Sequence, residues 1–219
     1  MSKLFVFGDS HAYGHGLADC WDGPKTNGAG PLPSKLAWPS LLGDMLGREV
    51  INLSKPGLSN KGIVHQLRLN KQQISSDDVV CIGWSYIERH MIITYKGRNN
   101  INDCNHLGPW KIRKNKAEIK SRLYYKYISL TIDAAITTSW YIEFSDLLIK
   151  KIGARIVHFP VPNSTPPTET VDIADDIIYS NADLQEYIVD IADDNVHGGP
   201  KSHKKFAEVV MDVHGDYLK

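Results

Sequence analysis

The chain has 219 residues, with 25 Lys or Arg against 25 Asp or Glu, a formal charge of zero. It suits one α/β domain with a substantial core, and no global field favours nucleic acid or an anionic membrane as a partner. Three cysteines, Cys20, Cys81 and Cys104, do not make a disulfide framework, and no apolar stretch approaches the roughly 20 residues of a membrane span. The N-terminus runs directly into a predicted strand without a signal-peptide pattern, so a cytoplasmic or virion-associated location is expected.

Taken in chain order, Leu4-Phe5-Val6-Phe7 is a continuous apolar run of the kind shown by a strand buried on both faces. It predicts a strand over residues 3–7, handed on by Gly8-Asp9-Ser10 to a new segment. A Gly/Pro-rich stretch over 23–34 reads as a loop bordering whatever site Ser10 serves. A helix follows over 39–46, with Pro39 suited to its first position and Gly47 to its end. Strands over 49–53 and 78–83 flank a helix over 61–73. A long helix over 117–152 stops at Gly153, a strand over 155–159 follows, and the last helix covers 201–218. The fifth strand is placed at 187–191.

This alternation predicts a three-layer α/β/α sandwich with a central parallel sheet, flavodoxin-like, as one domain over 1–219. The carboxyl ends of the strands would bring Ser10, Gly57 and residues 83–85 to one edge, where open α/β sheets place their ligands.

Two stretches look like decoration on that core. Residues 95–126 hold nine Lys or Arg against Asp103 and Glu118, while residues 169–194 hold nine carboxylates and no Lys or Arg. The basic stretch interrupts the fold between the third and fourth strands and fits a lid, a surface for anionic polysaccharide, or simply a solvated face. Mutual attraction between the two segments accounts for both without a ligand. The string Asp172-Ile173-Ala174-Asp175-Asp176 recurs as Asp190-Ile191-Ala192-Asp193-Asp194, but only the second copy has a histidine three residues on, so the acidic pair alone carries no chemistry.

The chemistry lies in two strings at opposite ends of the chain. Gly8-Asp9-Ser10-His11 offers a serine at the end of a strand, and Asp194-Asn195-Val196-His197 offers a carboxylate and an imidazole that can fold back on each other in one turn. A serine hydroxyl is a weak nucleophile until a neighbouring base, itself oriented by a third group, takes its proton. Ser10, His197 and Asp194 supply those three roles, with Asp193 as the competing carboxylate. Each string alone is ordinary turn chemistry; their joint placement points to acyl transfer.

These residues resemble the SGNH or GDSL hydrolases. The resemblance runs from residue 3 to 206: Gly8-Asp9-Ser10 is similar to the serine block, Gly57 in Asn52-Leu53-Ser54-Lys55-Pro56-Gly57 to the loop glycine, and Asp194 to His197 to the last block. Gly83-Trp84-Ser85 is similar to the third block but carries Ser85 where the family has asparagine. Residues 33–39 with Gly83-Trp84-Ser85 also resemble a branch of such proteins found in tailed phages.

The resemblance implies a serine esterase acting on small acyl esters, such as acetyl groups on carbohydrate, with no cofactor and no metal. It also implies an oxyanion hole from Ser10, Gly57 and, in place of the asparagine, Ser85. Asp9, Trp84 and Arg89 are assigned to the substrate surround, although Arg89 suits a structural ion pair at least as well.

Two rival readings stand beside this one. Asp9-Ser10-His11 also reads as the Asp-x-His metal pair of calcineurin-like phosphoesterases, but that family's Gly-Asn-His and Gly-His-x-His blocks do not occur. The missing asparagine fits a non-catalytic protein of the same fold, a phage structural or carbohydrate-binding one. His11 and His15 stand at i, i+4, yet Gly14 intervenes and no third ligand is near in sequence, which favours a loop or surface role. His203 reads as structural.

Overall fold

The computed structural model describes residues 2–23, 28–109, 119–160, 174–180, 182 and 184–219. In chain order the main elements are β1 (Lys3–Phe7), α1 (Ser10–Tyr13), α2 (Trp38–Leu46), β2 (Glu49–Asn52), α3 (Asn60–Asn70), β3 (Val79–Gly83), β4 (His90–Ile92), β5 (Asn105–Leu107), α4 (Ile119–Tyr127), α5 (Thr131–Ile152), β6 (Arg155–Phe159) and α6 (Pro200–Leu218). β2, β1, β3 and β6 form one parallel sheet in that order, with Phe5 opposite Ile51 on one side and Val80 on the other.

Side chains alternate across the sheet, so each strand feeds two cores. Phe5, Phe7, Val80, Ile82 and Ile156 point to the layer of α3 and α5, where they meet Ile63, Leu67, Ile142 and Ile149. Leu4, Val6, Val79, Cys81, Val157 and Phe159 point to the layer of α2 and α6 and meet Trp38, Leu42, Phe206 and Val210. The result is the expected three-layer sandwich. Burying each large apolar side chain contributes about 1.5–3 kcal/mol, and truncating a fully buried one such as Phe5 to Ala costs about 3–5 kcal/mol.

The chain leaves β1 towards β2 on one side and returns past β1 to β3 on the other. The connections therefore diverge between β1 and β3, and a crevice opens at their carboxyl ends. Ser10 follows β1 and Gly83-Trp84-Ser85 closes β3 at that crevice.

Two expectations are corrected. Residues 187–191 are not the fifth strand: Leu184–Tyr187 is a 3₁₀ turn, and Ile191 makes only a bridge to Gly198. The backbone there serves the start of α6 instead, with Ser202 Oγ accepting from the Val189 and Asp190 N–H groups and the Asp190 carboxylate accepting from those of Lys201 and Ser202. The place beside β6 is taken by Tyr179, which bridges in parallel to His158.

The long helix expected over 117–152 is two helices, broken where Leu130 turns extended (φ −122, ψ 128). Ile128-Ser129-Leu130-Thr131-Ile132 is rich in residues that lose rotamer freedom in a helix or bond their own backbone. Residues 117 and 118 lie outside the described residues.

The described start of the basic stretch is part of a hairpin. β4 and β5 pair antiparallel, and the turn between them is anchored on α3 by His65 Nε2 at 2.7 Å from the Gly97 carbonyl oxygen. Lys111, Arg113, Lys114 and Lys116 fall outside the described residues, and among the described ion pairs none joins this stretch to residues 174–194.

Candidate active site

Ser10 is the first residue of α1, directly after the β1 strand and the Gly8-Asp9 turn. Gly8 is needed because a Cβ there would stand 2.8 Å from Ala12 Cβ and 3.2 Å from the Gly83 carbonyl oxygen, forcing β1 and β3 apart at the crevice. Asp9 caps α1, its Oδ1 accepting from His11 N–H at 2.9 Å. Ser10 is itself 5 % exposed.

The C-terminal string folds as its spacing predicts. Asn195 takes a left-handed conformation (φ 57), and the turn it makes lets Asp194 Oδ1 accept from both Val196 and His197 N–H at 3.0 Å. Asp194 Oδ2 lies 2.5 Å from His197 Nδ1, and His197 Nε2 lies 3.0 Å from Ser10 Oγ. These contacts fix the tautomer: Nδ1–H donates to the carboxylate and Nε2 accepts from the serine hydroxyl. Burial alone would raise the Asp194 carboxyl, but its hydrogen bonds to His197 and Val196 outweigh that and hold it below the usual carboxylate range. Asp193, the competing carboxylate, is exposed, and its N–H donates to the Gly16 carbonyl at 3.0 Å.

Asp9, Ser85 and Arg89 form one buried polar knot beneath Ser10. Arg89 Nη1 donates to Asp9 Oδ2 at 2.7 Å and to Ser85 Oγ at 2.9 Å, while Ser85 Oγ donates to Asp9 Oδ2 at 3.1 Å. Ser85 N–H donates to Asn60 Oδ1 at 2.6 Å, and Asn60 Nδ2 donates to Thr138 at 3.2 Å. In this arrangement Arg89 is turned onto Asp9 rather than towards a substrate carboxylate, and the single Ser85 proton faces Asp9 rather than an oxyanion. Trp84 is 2 % exposed with its indole N–H donated to His158, so it is a wall rather than a polar contact for substrate. Gly57 lies in the turn between β2 and α3 with φ +75.

The sequence reading missed one neighbour. His15 is buried, its Nε2 lying 3.8 Å from Asp194 Oδ2 and its ring meeting His197 edge-on at 5.1 Å between centroids. It is held there by Gly16, whose Cα packs on the carboxylate so closely that a Cβ would stand 2.5 Å from Asp194 Cγ. The signal available in sequence was glycine on both sides of His15, which marks a chain bent to fit something.

His11 also packs edge-on against His197, with ring centroids 5.2 Å apart. Burial pushes both His11 and His15 below the usual imidazole range and holds His203 down at about 3, its Nδ1 accepting from Trp38 N–H at 3.1 Å. Among the described residues, the His, Cys, Asp and Glu side chains within metal-ligand reach of one another are His15, Asp194 and His197. Asp9, half of the pair a metallophosphoesterase would use, is turned to Arg89, whose Nη1 lies 2.7 Å from its Oδ2.

No protein-family model and no curated protein matches the chain. Solved structures do. One is described as a lipolytic protein of the G-D-S-L family from Desulfitobacterium hafniense (TM-score 0.54, 12 % identity, 97 % of this chain on 99 % of that one). Another is a carbohydrate acetylesterase family member from Sinorhizobium meliloti (TM-score 0.56, 13 % identity, 100 % on 99 %). A third is an acetyl xylan esterase from the rumen bacterium Butyrivibrio proteoclasticus (TM-score 0.59, 11 % identity), of which this chain spans 64 %. The molecule has the SGNH/GDSL hydrolase fold. Its serine, histidine and aspartate stand at the carboxyl edge of that fold's sheet.

Proposed function

We propose that the protein is a serine ester hydrolase of SGNH type acting on small acyl esters, with acetyl groups on carbohydrate as the first substrates to try. The observation that carries this is the position of His197, with Asp194 2.5 Å from Nδ1 and Ser10 3.0 Å from Nε2. Ser10 Oγ attacks the ester carbonyl as His197 Nε2 takes its proton, and Asp194 stabilises the imidazolium that forms. His197 returns the proton to the leaving alcohol, an acyl-Ser10 forms, and water releases it through the same base.

The oxyanion falls to the backbone N–H groups of Ser10 and Gly57. Because the Ser85 hydroxyl faces Asp9, the hole works with those two donors, and Ser85 serves to hold the Asp9–Arg89 pair.

The preference for a small acyl group rests on the family resemblance; the cleft of about 30 Å³ beside Asp9 and His11, walled by Trp38, Trp84, Phe159 and Phe206, is not lined by Ser10. A wider groove of about 340 Å³ lies between Pro31 and Pro33 of the loop after α1 and Asn52 to Pro56 before the Gly57 turn, a size that suits a sugar ring.

The test is turnover of p-nitrophenyl esters of increasing acyl length by purified protein and Ser10→Ala. Acetate should be the best substrate, and Ser10→Ala should be inactive. Equal turnover by both proteins would end the serine mechanism.

A further inference from the structure

We propose that His15, Asp194 and His197 form a site for one divalent cation of the zinc class, and that its occupancy switches the esterase off. The binding half stands on geometry alone; the switching half rests on the function proposed above. One ligand atom from each of the three side chains lies within 4.8 Å of the other two, with His15 Nε2 3.8 Å and His197 Nδ1 2.5 Å from the same Asp194 oxygen. Two imidazoles and one carboxylate are the donor set that zinc takes in sites with three protein ligands and a fourth, open position.

The three groups come from two segments pinned to each other. The Asp193 N–H donates to the Gly16 carbonyl at 3.0 Å, and the Asp194 carboxylate is seated on the Gly16 Cα. Closing around a cation would therefore take small side-chain movements and no rearrangement of the chain. Among the described residues His15 Nδ1 has no hydrogen-bond partner. A metal-bound histidine is usually held by an acceptor on its other nitrogen, so the site should bind reversibly rather than as a permanent structural centre.

Occupancy stops the chemistry through a tautomer. His197 in its working form carries its proton on Nδ1 and offers the Nε2 lone pair to Ser10. A cation on Nδ1 replaces that proton, and the neutral ring then carries its one proton on Nε2. Nε2–H becomes a donor to Ser10 Oγ and can no longer accept the serine proton, while Asp194 is drawn to the metal. Base and orienting group are lost together, and no bond to substrate is involved.

The experiment titrates chelator-stripped full-length protein with Co²⁺ as a spectroscopic probe and then with Zn²⁺, alongside ester turnover. A visible d–d band should saturate at one Co²⁺ per chain and be displaced by Zn²⁺. Saturating Zn²⁺ should lower turnover by about 10³-fold or more, as loss of His197 itself does, and EDTA should restore it. His15 packs on Asp194 and His197, so His15→Ala and the milder His15→Gln are each read against their own metal-free turnover. Each should lose the band and need about 10- to 100-fold more Zn²⁺ for inhibition.

Ser10→Ala, dead as an esterase, should keep the cobalt band. A band absent from wild type, or unchanged in both His15 variants, overturns the site; Zn²⁺ bound at one per chain with full turnover overturns the switch. A protein that hydrolyses no ester refutes the function proposed above, and the cobalt titration still decides the site.

Discussion

Two of the Asp–His pairs among the described residues behave in opposite ways. Asp194 and His197 sit 2.5 Å apart at the crevice, with the second nitrogen of the imidazole 3.0 Å from a serine hydroxyl. Asp146 on α5 and His158 on β6 sit 3.7 Å apart inside the molecule, where His158 is fully buried. Trp84 Nε1 donates to His158 Nδ1 at 3.2 Å, which places the one proton of that neutral ring on Nε2, facing Asp146.

His158 thus has no lone pair left for a nucleophile, and burial keeps it neutral by holding it below the usual imidazole range. Asp146 meanwhile is held 2.8 Å from Lys150. An Asp–His pair becomes a base only when the partner on the far nitrogen is a donor that can give its proton away. At His197 that partner is a serine hydroxyl; at His158 it is an indole N–H that keeps its proton.

The comparison breaks most sharply at Ser10 and His197. Ser10→Ala and His197→Ala should each lower ester turnover by about 10³-fold or more with the melting temperature little changed. Turnover near wild type in either variant would remove the distinction between the two pairs. Asp194→Asn, which keeps the shape but cannot hold the working tautomer as a carboxylate does, should cost about 10²-fold or more. Asp193→Asn, at an exposed side chain one residue away, should stay within about twofold, since surface changes without a buried partner are nearly neutral. Equal losses at the two aspartates would show that the 2.5 Å contact is not what orients His197.

What could be read in the sequence followed from how local the cause was. The four parallel strands were legible because each is a short apolar run closed by a turn, and the Asp194–His197 contact was legible because an Asp-x-x-His spacing lets carboxylate and imidazole meet within one turn. The hairpin of β4 and β5 was not, since His90-Met91-Ile92 and Asn105-His106-Leu107 are too short to show an alternation. Arg89 and Asp9 are 80 residues apart, and their pairing depends on β1 and β3 ending side by side. His15 likewise looked isolated because its partners come from the other end of the chain. The expected strand at 187–191 failed for a different reason: its backbone groups are taken up in capping α6, a demand that no pattern of apolar residues records.

The buried pair makes its own prediction, opposite in kind. Asp146→Asn removes the charge that faces Lys150 and should cost about 1–3 kcal/mol in stability, measured by urea unfolding, while turnover stays within about threefold.

Acid should expose the same burial. His158 and His203 both have folded-state values below the ordinary 6.5, His203 at about 3. Below pH 6.5 the unfolded chain therefore binds protons that the folded chain refuses. Stability is full above that pH and falls as pH drops from about 6.5 towards the folded values. The urea midpoint should decline between pH 7.5 and 5. His203→Asn, whose amide oxygen can still accept from Trp38 N–H, should shrink the decline. An identical slope in that variant would locate the linkage elsewhere.

A small effect on turnover is expected at Ser85, where the family resemblance and the observed hydrogen bonds point in different directions. The resemblance puts an oxyanion donor at this position. The geometry gives Ser85 one proton, directed to Asp9 Oδ2 at 3.1 Å, with Arg89 donating to the same hydroxyl at 2.9 Å. To reach an oxyanion the hydroxyl would have to leave Asp9 Oδ2 to Arg89, with His11 N–H remaining on Oδ1. Ser85→Ala should therefore lower turnover by less than about threefold while costing about 1 kcal/mol of stability, the ordinary net worth of a buried hydrogen bond. Ser85→Asn, larger and set in a buried knot, should cost about 1–3 kcal/mol through overpacking and restore no rate. If Ser85→Ala instead lost about 10²-fold in kcat with stability and KM unchanged, the hydroxyl would have to turn to the oxyanion during the reaction, and the hole would regain its third donor.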